Sequence, residues 1–181
     1  MKHLTLELSR SARLLAITSA LAFGLAACGG GDSTPATTMS TLTAGLSGDQ
    51  ETTPTITGAL GTGTLTLTIP SRAVSGSIVI DGMTATAAHV HLGDVGTNGE
   101  VIVELVQSPP GTWSVPAGEV LSETEAAAFS AGGLYFNAHT PANPSGEIRG
   151  QIGREVYAAQ LSARQEVPTN PSSAKGVGLI S

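Results

Sequence analysis

The sequence predicts an all-β fold, an antiparallel Greek-key β-sandwich or barrel with one short connecting helix. Three observations carry that expectation. Thr64-Leu65-Thr66-Leu67-Thr68-Ile69 alternates strictly, placing Leu65, Leu67 and Ile69 on one face of a strand. Similar short runs recur at 77–81, 87–92, 101–106, 134–139 and 147–152. Between them stand Pro70-Ser71, Asp81-Gly82, Asn98-Gly99, Pro109-Pro110-Gly111 and Asn143-Pro144-Ser145-Gly146, all turn formers. Only 12% of the 181 residues are charged, yet the Val, Ile and Leu content and the period of two argue for packed sheet over a disordered polar chain.

The chain opens on an export signal. Lys2, Arg10 and Arg13 precede an apolar stretch from Leu14 to Ala27 that is too short for a comfortable membrane span. It ends in Leu25-Ala26-Ala27-Cys28-Gly29, which resembles the lipobox of bacterial lipoproteins. That resemblance implies removal of residues 1–27 and lipidation of Cys28, with residues 28–40 as a flexible tether. Gly29 lacks the Asp that signals retention at the inner membrane. The expected location is therefore the outer membrane, facing the periplasm or the surface. Loss of residues 1–27 removes three basic residues and one acidic one, taking the net charge from −6 to −8. An acidic chain with no Lys/Arg cluster is a poor nucleic-acid binder. Lipidation of the only Cys leaves no thiol, so any metal would be held by His and carboxylates.

One helix interrupts the strands. Ser122-Glu123-Thr124-Glu125 is a capping box, Ala126 to Ala131 extends it, and Gly132-Gly133 stops it. The lone Trp113 lies between prolines and is expected to cap one end of the sandwich.

The chain also begins to repeat itself. Leu46-Ser47, Gln50-Glu51, Ala59, Gly61 and Gly63 recur as Leu161-Ser162, Gln165-Glu166, Ala174, Gly176 and Gly178, always 115 positions later. Residues 41–153 are thus one domain. Residues 154–181 open a second unit that stops after its first strand or two, and a truncated repeat is expected in preference to an extra edge strand. Gln50-Glu51 and Gln165-Glu166 are expected at strand starts, pairing across the sheet.

Three of the four histidines lie in two strands. In 87–92, His89 and His91 share a face with Ala87, opposite Ala88, Val90 and Leu92. In 134–139, Tyr135, Asn137 and His139 oppose Leu134, Phe136 and Ala138. The apolar sets mark the core side, so the His faces are expected at an outer or rim face. If they adjoin, His89, His91 and His139 form a three-imidazole site for copper, with zinc second, leaving a position for water or a small ligand. Asp94 or Glu147 is expected to orient a ring nitrogen. In the competing reading the imidazoles bond loop carbonyls, and Glu147 pairs with Arg149 across the sheet.

The stretches from Leu46-Ser47 and Gln50-Glu51, through Ala87-Ala88-His89-Val90-His91-Leu92-Gly93, Gly96-Thr97-Asn98-Gly99 and Leu121-Ser122-Glu123-Thr124-Glu125, to Leu134-Tyr135-Phe136-Asn137-Ala138-His139 and Gly146-Glu147-Ile148-Arg149-Gly150-Gln151 resemble the CHRD domain, named after chordin. That family occurs in bacterial exported proteins and in chordin, an extracellular growth-factor antagonist. The Cys-rich modules that accompany it in chordin are absent from this sequence. A weaker resemblance joins Ala88-His89-Val90-His91-Leu92-Gly93-Asp94 to the copper-binding strand of copper/zinc superoxide dismutases. This chain departs from those enzymes in lacking their zinc cluster, their disulfide and one copper-site His. The fold implied is immunoglobulin- or dismutase-like. The first functional expectation is a non-enzymatic envelope module binding a metal ion or a partner protein. A copper-dependent redox protein of dismutase type comes second, and a purely structural envelope domain third.

Overall fold

The computed structural model describes residues 35–181. The export segment, Cys28 and the first part of the tether lie outside the described residues. Strand β1 (Thr38–Ser47) already includes Thr38–Ser40, which the sequence placed in the tether. The following strands are β2 (Leu60–Ile69), β3 (Ala73–Asp81), β4 (Ala87–Leu92), β5 (Val101–Glu104), β6 (Val106–Gln107), β7 (Thr112–Ser114), β8 (Leu134–His139) and β9 (Ile148–Gln151). They form a nine-stranded sheet in the order β5-β4-β8-β9-β1-β2-β3-β7-β6, with every pairing antiparallel.

The two edge strands, β5 and β6, are consecutive in the chain and separated only by Leu105. The sheet therefore curls until its edges meet at one residue, a nearly closed barrel. Closure explains why the expected strand 101–106 is broken. Leu105 is buried and donates its amide to Ala88 O on β4, while Val106 already pairs with Ser114 on β7. Curling also hides sheet edges that would otherwise invite pairing with another chain.

Alternation fills the interior. Leu46, Leu65, Leu67, Ile78, Val90, Val103, Leu134, Phe136 and Ile148 are buried in one cluster. The β2 threonines Thr62, Thr64, Thr66 and Thr68 point the other way, and Thr66 hydrogen-bonds Thr41 across the strand pair. Trp113 does not cap an end. The Pro109-Pro110-Gly111 turn folds β6 onto β7, which places Trp113 opposite Ile78 on the core face and leaves it 7% exposed. Helix α1 (Glu123–Ala131) starts with the expected capping box. Glu125 N donates to Ser122 Oγ at 3.2 Å, and Ser122 N donates to a Glu125 carboxylate oxygen at 2.7 Å. Ala126 and Phe129, one turn apart, enter the core, and Gly132 ends the helix at φ 71°.

Gln50 and Glu51 are not at a strand start. They follow β1 in a single 3-10 turn (Gly48–Gln50) that carries the chain inward, so both side chains are buried instead of paired along the sheet. Tyr157–Ser162 (β10) and Lys175–Ile180 (β11) form a separate two-stranded sheet.

Phe136 seats against the backbone of β2 because Gly63 has no side chain. A Cβ there would stand 2.6 Å from Ile78 Cγ2 and 2.9 Å from Phe136 Cε2. Alanine would stiffen the unfolded chain slightly, but forcing a methyl into this contact costs more. Gly63→Ala is expected to lower stability by about 1–3 kcal/mol, seen as a lower urea midpoint with unchanged slope.

Candidate metal centre

β4 and β8 pair in register, with His89 opposite Asn137, His91 opposite Tyr135 and Ala87 opposite His139. Since β4 and β8 are neighbours, their two polar faces form one surface, and the three imidazoles meet on it. Each offers a ring nitrogen within 4.8 Å of the others. The ring centroids are 5.6 Å apart for His89 and His91, 4.9 Å for His89 and His139, and 6.4 Å for His91 and His139. A register skip in the β4–β5 pairing beside Val90 and His91 adds twist at this point.

Hydrogen bonds orient two of the rings. His91 Nδ1 lies 3.0 Å from Gly99 O, and His139 Nδ1 lies 3.1 Å from Pro144 O. A carbonyl only accepts, so both rings carry their proton on Nδ1 and keep a lone pair on Nε2. His139 Nε2 is 3.0 Å from His89 Nδ1, so His89 donates across this contact. His91 Nε2 is buried and has no partner. Burial lowers the pKa of all three imidazoles, reinforced by mutual repulsion for His91 and His139, which favours the neutral, ligating form.

The surface is less open than an outer face. His91 is 9% exposed, Tyr135 and Asn137 are each 3% exposed, and His89 and His139 are half-buried. Two loops fold over it. Arg149, almost wholly buried, donates to Thr97 O at 2.7 Å and Asp94 O at 2.8 Å, pinning the 93–99 loop. Its guanidinium lies 3.5 Å from the Tyr135 ring centroid, and Tyr135 stacks on His91 at 4.8 Å with 8° between planes. The Tyr135 hydroxyl accepts from Gly99 N, tying the same residue whose carbonyl holds His91.

This geometry corrects the expected supporting roles. Asp94 contributes its backbone carbonyl to Arg149, and the ring nitrogens are oriented by Gly99 and Pro144 carbonyls. Glu147 accepts from Thr57, Thr140 and Asn143, so it braces the 140–147 turn and its own pKa is lowered. No Glu147–Arg149 ion pair forms; among the described residues the one ion pair is Arg72 with Glu123. Arg149 instead lies under the 93–99 loop, where two carbonyls and an aromatic face offset the cost of burying its charge.

Sequence reasoning missed Tyr135, Asn137 and Glu51 as parts of the site. Asn137 donates to Glu51 Oε1 at 2.8 Å, and burial pushes the Glu51 carboxyl up to about 7 despite that bond and Arg149. The only available signal was Asn137 alternating with Tyr135 and His139.

Arg149→Lys keeps the charge but loses the two-pronged carbonyl contact and the flat stacking surface. It is expected to cost about 2–3 kcal/mol in urea unfolding. Glu51 supplies a pH dependence. A raised carboxyl holds its proton more tightly in the folded chain, so its stabilising contribution is full below about pH 4.5 and is lost as pH rises through about 7. The lowered imidazoles act oppositely, their contribution being lost as pH falls below 6.5. Glu51→Gln removes the first effect. Its melting temperature, relative to wild type, is expected to rise between acidic and neutral pH; parallel curves would remove Glu51 as the cause.

No curated protein and no solved structure matches this chain. The family model for the CHRD domain matches residues 42–152, from the inner half of β1 through β9 to Ile152. The matched span contains all three histidines, Arg149 and both loops that cover them, and the chain belongs to the CHRD domain family.

Proposed function

We propose that this CHRD domain is a non-enzymatic binding module that holds one transition-metal ion, copper in preference to zinc, through His89 Nδ1, His91 Nε2 and His139 Nε2. The observation that carries the reading is the convergence of three imidazole nitrogens, two of them with their opposite nitrogen tied to a backbone carbonyl. Ligand atoms about 2.0 Å from an ion stand roughly 2.8 Å apart in the square-planar arrangement that suits Cu(II) and roughly 3.3 Å apart in the tetrahedral one. The 3.0 Å contact between His89 and His139 already lies between those spacings. A cation would replace the shared proton there, with His89 moving its proton to Nε2. Neutral imidazoles suit copper and zinc, and the general affinity order favours Cu(II).

Among the described residues this is the one group of three or more metal-capable side chains, which supports a single-ion carrier over a two-metal dismutase. The export signal and the lipobox-like Cys28 support an outer-membrane-anchored protein in the cell envelope, where it could meet a partner protein. No helix among the described residues is long and apolar enough to cross a membrane.

The test is metal retention after loading with Cu(II) or Zn(II) and desalting at neutral pH. One copper per chain is expected, with His89→Ala, His91→Ala and His139→Ala each weakening binding by about tenfold or more. Copper at a hundred times its dissociation constant should also stabilise the fold by about 2.7 kcal/mol. If the intact protein retains neither metal, or the alanine variants bind as well as wild type, the reading fails. Superoxide turnover by the copper-loaded protein would make it a redox enzyme instead of a carrier.

A further inference from the structure

β10, the 3-10 turn Ala163–Gln165 and β11 reproduce β1, the turn Gly48–Gln50 and β2 in three dimensions. Tyr157 pairs with Ile180 and Ser162 with Lys175, just as Leu42 pairs with Leu65 and Ser47 with Leu60. The constant offset of 115 thus extends from residue identities to strand register. The residues entering the turns match too: Ser47 has φ −151° and ψ 160°, Ser162 φ −150° and ψ 154°. Each turn closes with an equivalent hydrogen bond, donated by Glu51 N to Gly48 O and by Glu166 N to Ala163 O.

The surroundings differ. In the first copy the inward face is core, with Leu46 2% and Leu65 0% exposed. Their counterparts Leu161 and Ile180 are 53% and 68% exposed, and Tyr157, the counterpart of Leu42, is 65% exposed. The opposite face of the hairpin leans toward the first unit. Gln160 donates to Asp49 at 2.6 Å, and Leu179 lies beside Gly96.

The glycines identify what the open face is shaped to receive. Gly63 is a glycine because Phe136 and Ile78 press against it, and Gly61 lies against Leu46 and Ile148. Gly178 and Gly176 stand at the same two positions, yet a Cβ at Gly178 would meet nothing within 4 Å and one at Gly176 only Leu161. Glycine weakens a strand by roughly 0.5–1 kcal/mol relative to alanine. In this hairpin no neighbour offsets that cost. The hairpin carries a recess for an aromatic ring that its own surroundings do not fill.

We infer that residues 156–181 are an interaction surface, the first hairpin of a second CHRD unit, whose occupant is the remaining strand set of such a unit, equivalent to residues 67–152. Its recognition chemistry is that of the first copy. A phenylalanine-type ring would seat over Gly178, with aliphatic side chains like Ile78 and Ile148 beside it, covering Leu161 and Ile180. This is independent of the metal reading, because none of the three histidines touches the hairpin's open face.

The test extends the full-length chain after Ser181 with a second copy of residues 67–152, which preserves the 115-residue offset. Hydrogen exchange of the amides in 157–162 and 175–180 is then followed by mass spectrometry. The expected result is at least tenfold slower exchange of this hairpin in the extended chain than in the parent. Gly178→Leu in the extended chain should abolish that protection while exchange in β1 to β9 stays unchanged. Unaltered hairpin exchange on extension would overturn the inference, as would protection that survives Gly178→Leu. A parent chain that already protects the hairpin by dimerising, with Leu161→Asp giving the monomer, would assign the face to a second copy of itself and would also overturn it.

Discussion

Arg149 is a cation buried on the His-bearing face of the sheet, beneath the 93–99 loop, with no carboxylate within ion-pairing distance. A buried charge is costly unless its donors are satisfied. Here the guanidinium is met by Thr97 O, Asp94 O, Gln151 Oε1 and the face of Tyr135. Those partners come from three places in the sequence, so satisfying one side chain fixes the 93–99 loop against β8 and β9. Gln151 extends the arrangement by donating to Gly93 O and Gly132 O, which ties the loop to the end of α1. Burial lowers the Arg149 pKa, but the guanidinium remains protonated at any ordinary pH.

The metal centre follows from that anchoring. With the loop pinned, Gly99 stands where its carbonyl accepts from His91 and its amide donates to Tyr135. The ring of His91 is then held between a hydrogen bond and a stacked tyrosine, with Nε2 left free. The opposite wall uses the same device, with the Thr140–Glu147 turn presenting Pro144 O to His139. Both covering loops thus orient imidazoles through backbone carbonyls. Such groups do not titrate, so orientation is independent of pH over the range in which the imidazoles themselves change charge.

The duplicated hairpin separates what a hairpin needs to form from what it needs to be buried. β10 and β11 keep the register of β1 and β2 without the core that covers the first pair. Turn chemistry and backbone pairing are local and suffice for register. Burial of Leu161 and Ile180 is not local. It requires strands more than fifty residues away in the corresponding first copy, where Phe136 and Ile148 lie far along the chain from Leu46 and Leu65.

The strands that alternate cleanly were legible from residues alone. Leu65-Leu67, Ala88-Val90 and Leu134-Phe136 announce their inward faces, and Ser122-Glu125 announces the helix start, because each signal depends on neighbours a few positions apart. The common face of His89 and His91 is equally local. The chain could not announce that Leu105 divides two edge strands, or that Trp113 faces Ile78, since both follow from curvature accumulated over nine strands. Nor did residue chemistry separate a Glu147–Arg149 pair from the arrangement found, since opposite charges two positions apart look like partners. Packing turned Arg149 toward the 93–99 loop and the Tyr135 ring, and Glu147 toward the hydroxyls of Thr57 and Thr140 and the amide of Asn143, because Arg149 lies within β9 while Glu147 lies before it begins. Alternation assigned the histidines to a face; only the loops folded over that face decided which nitrogen of each ring is free.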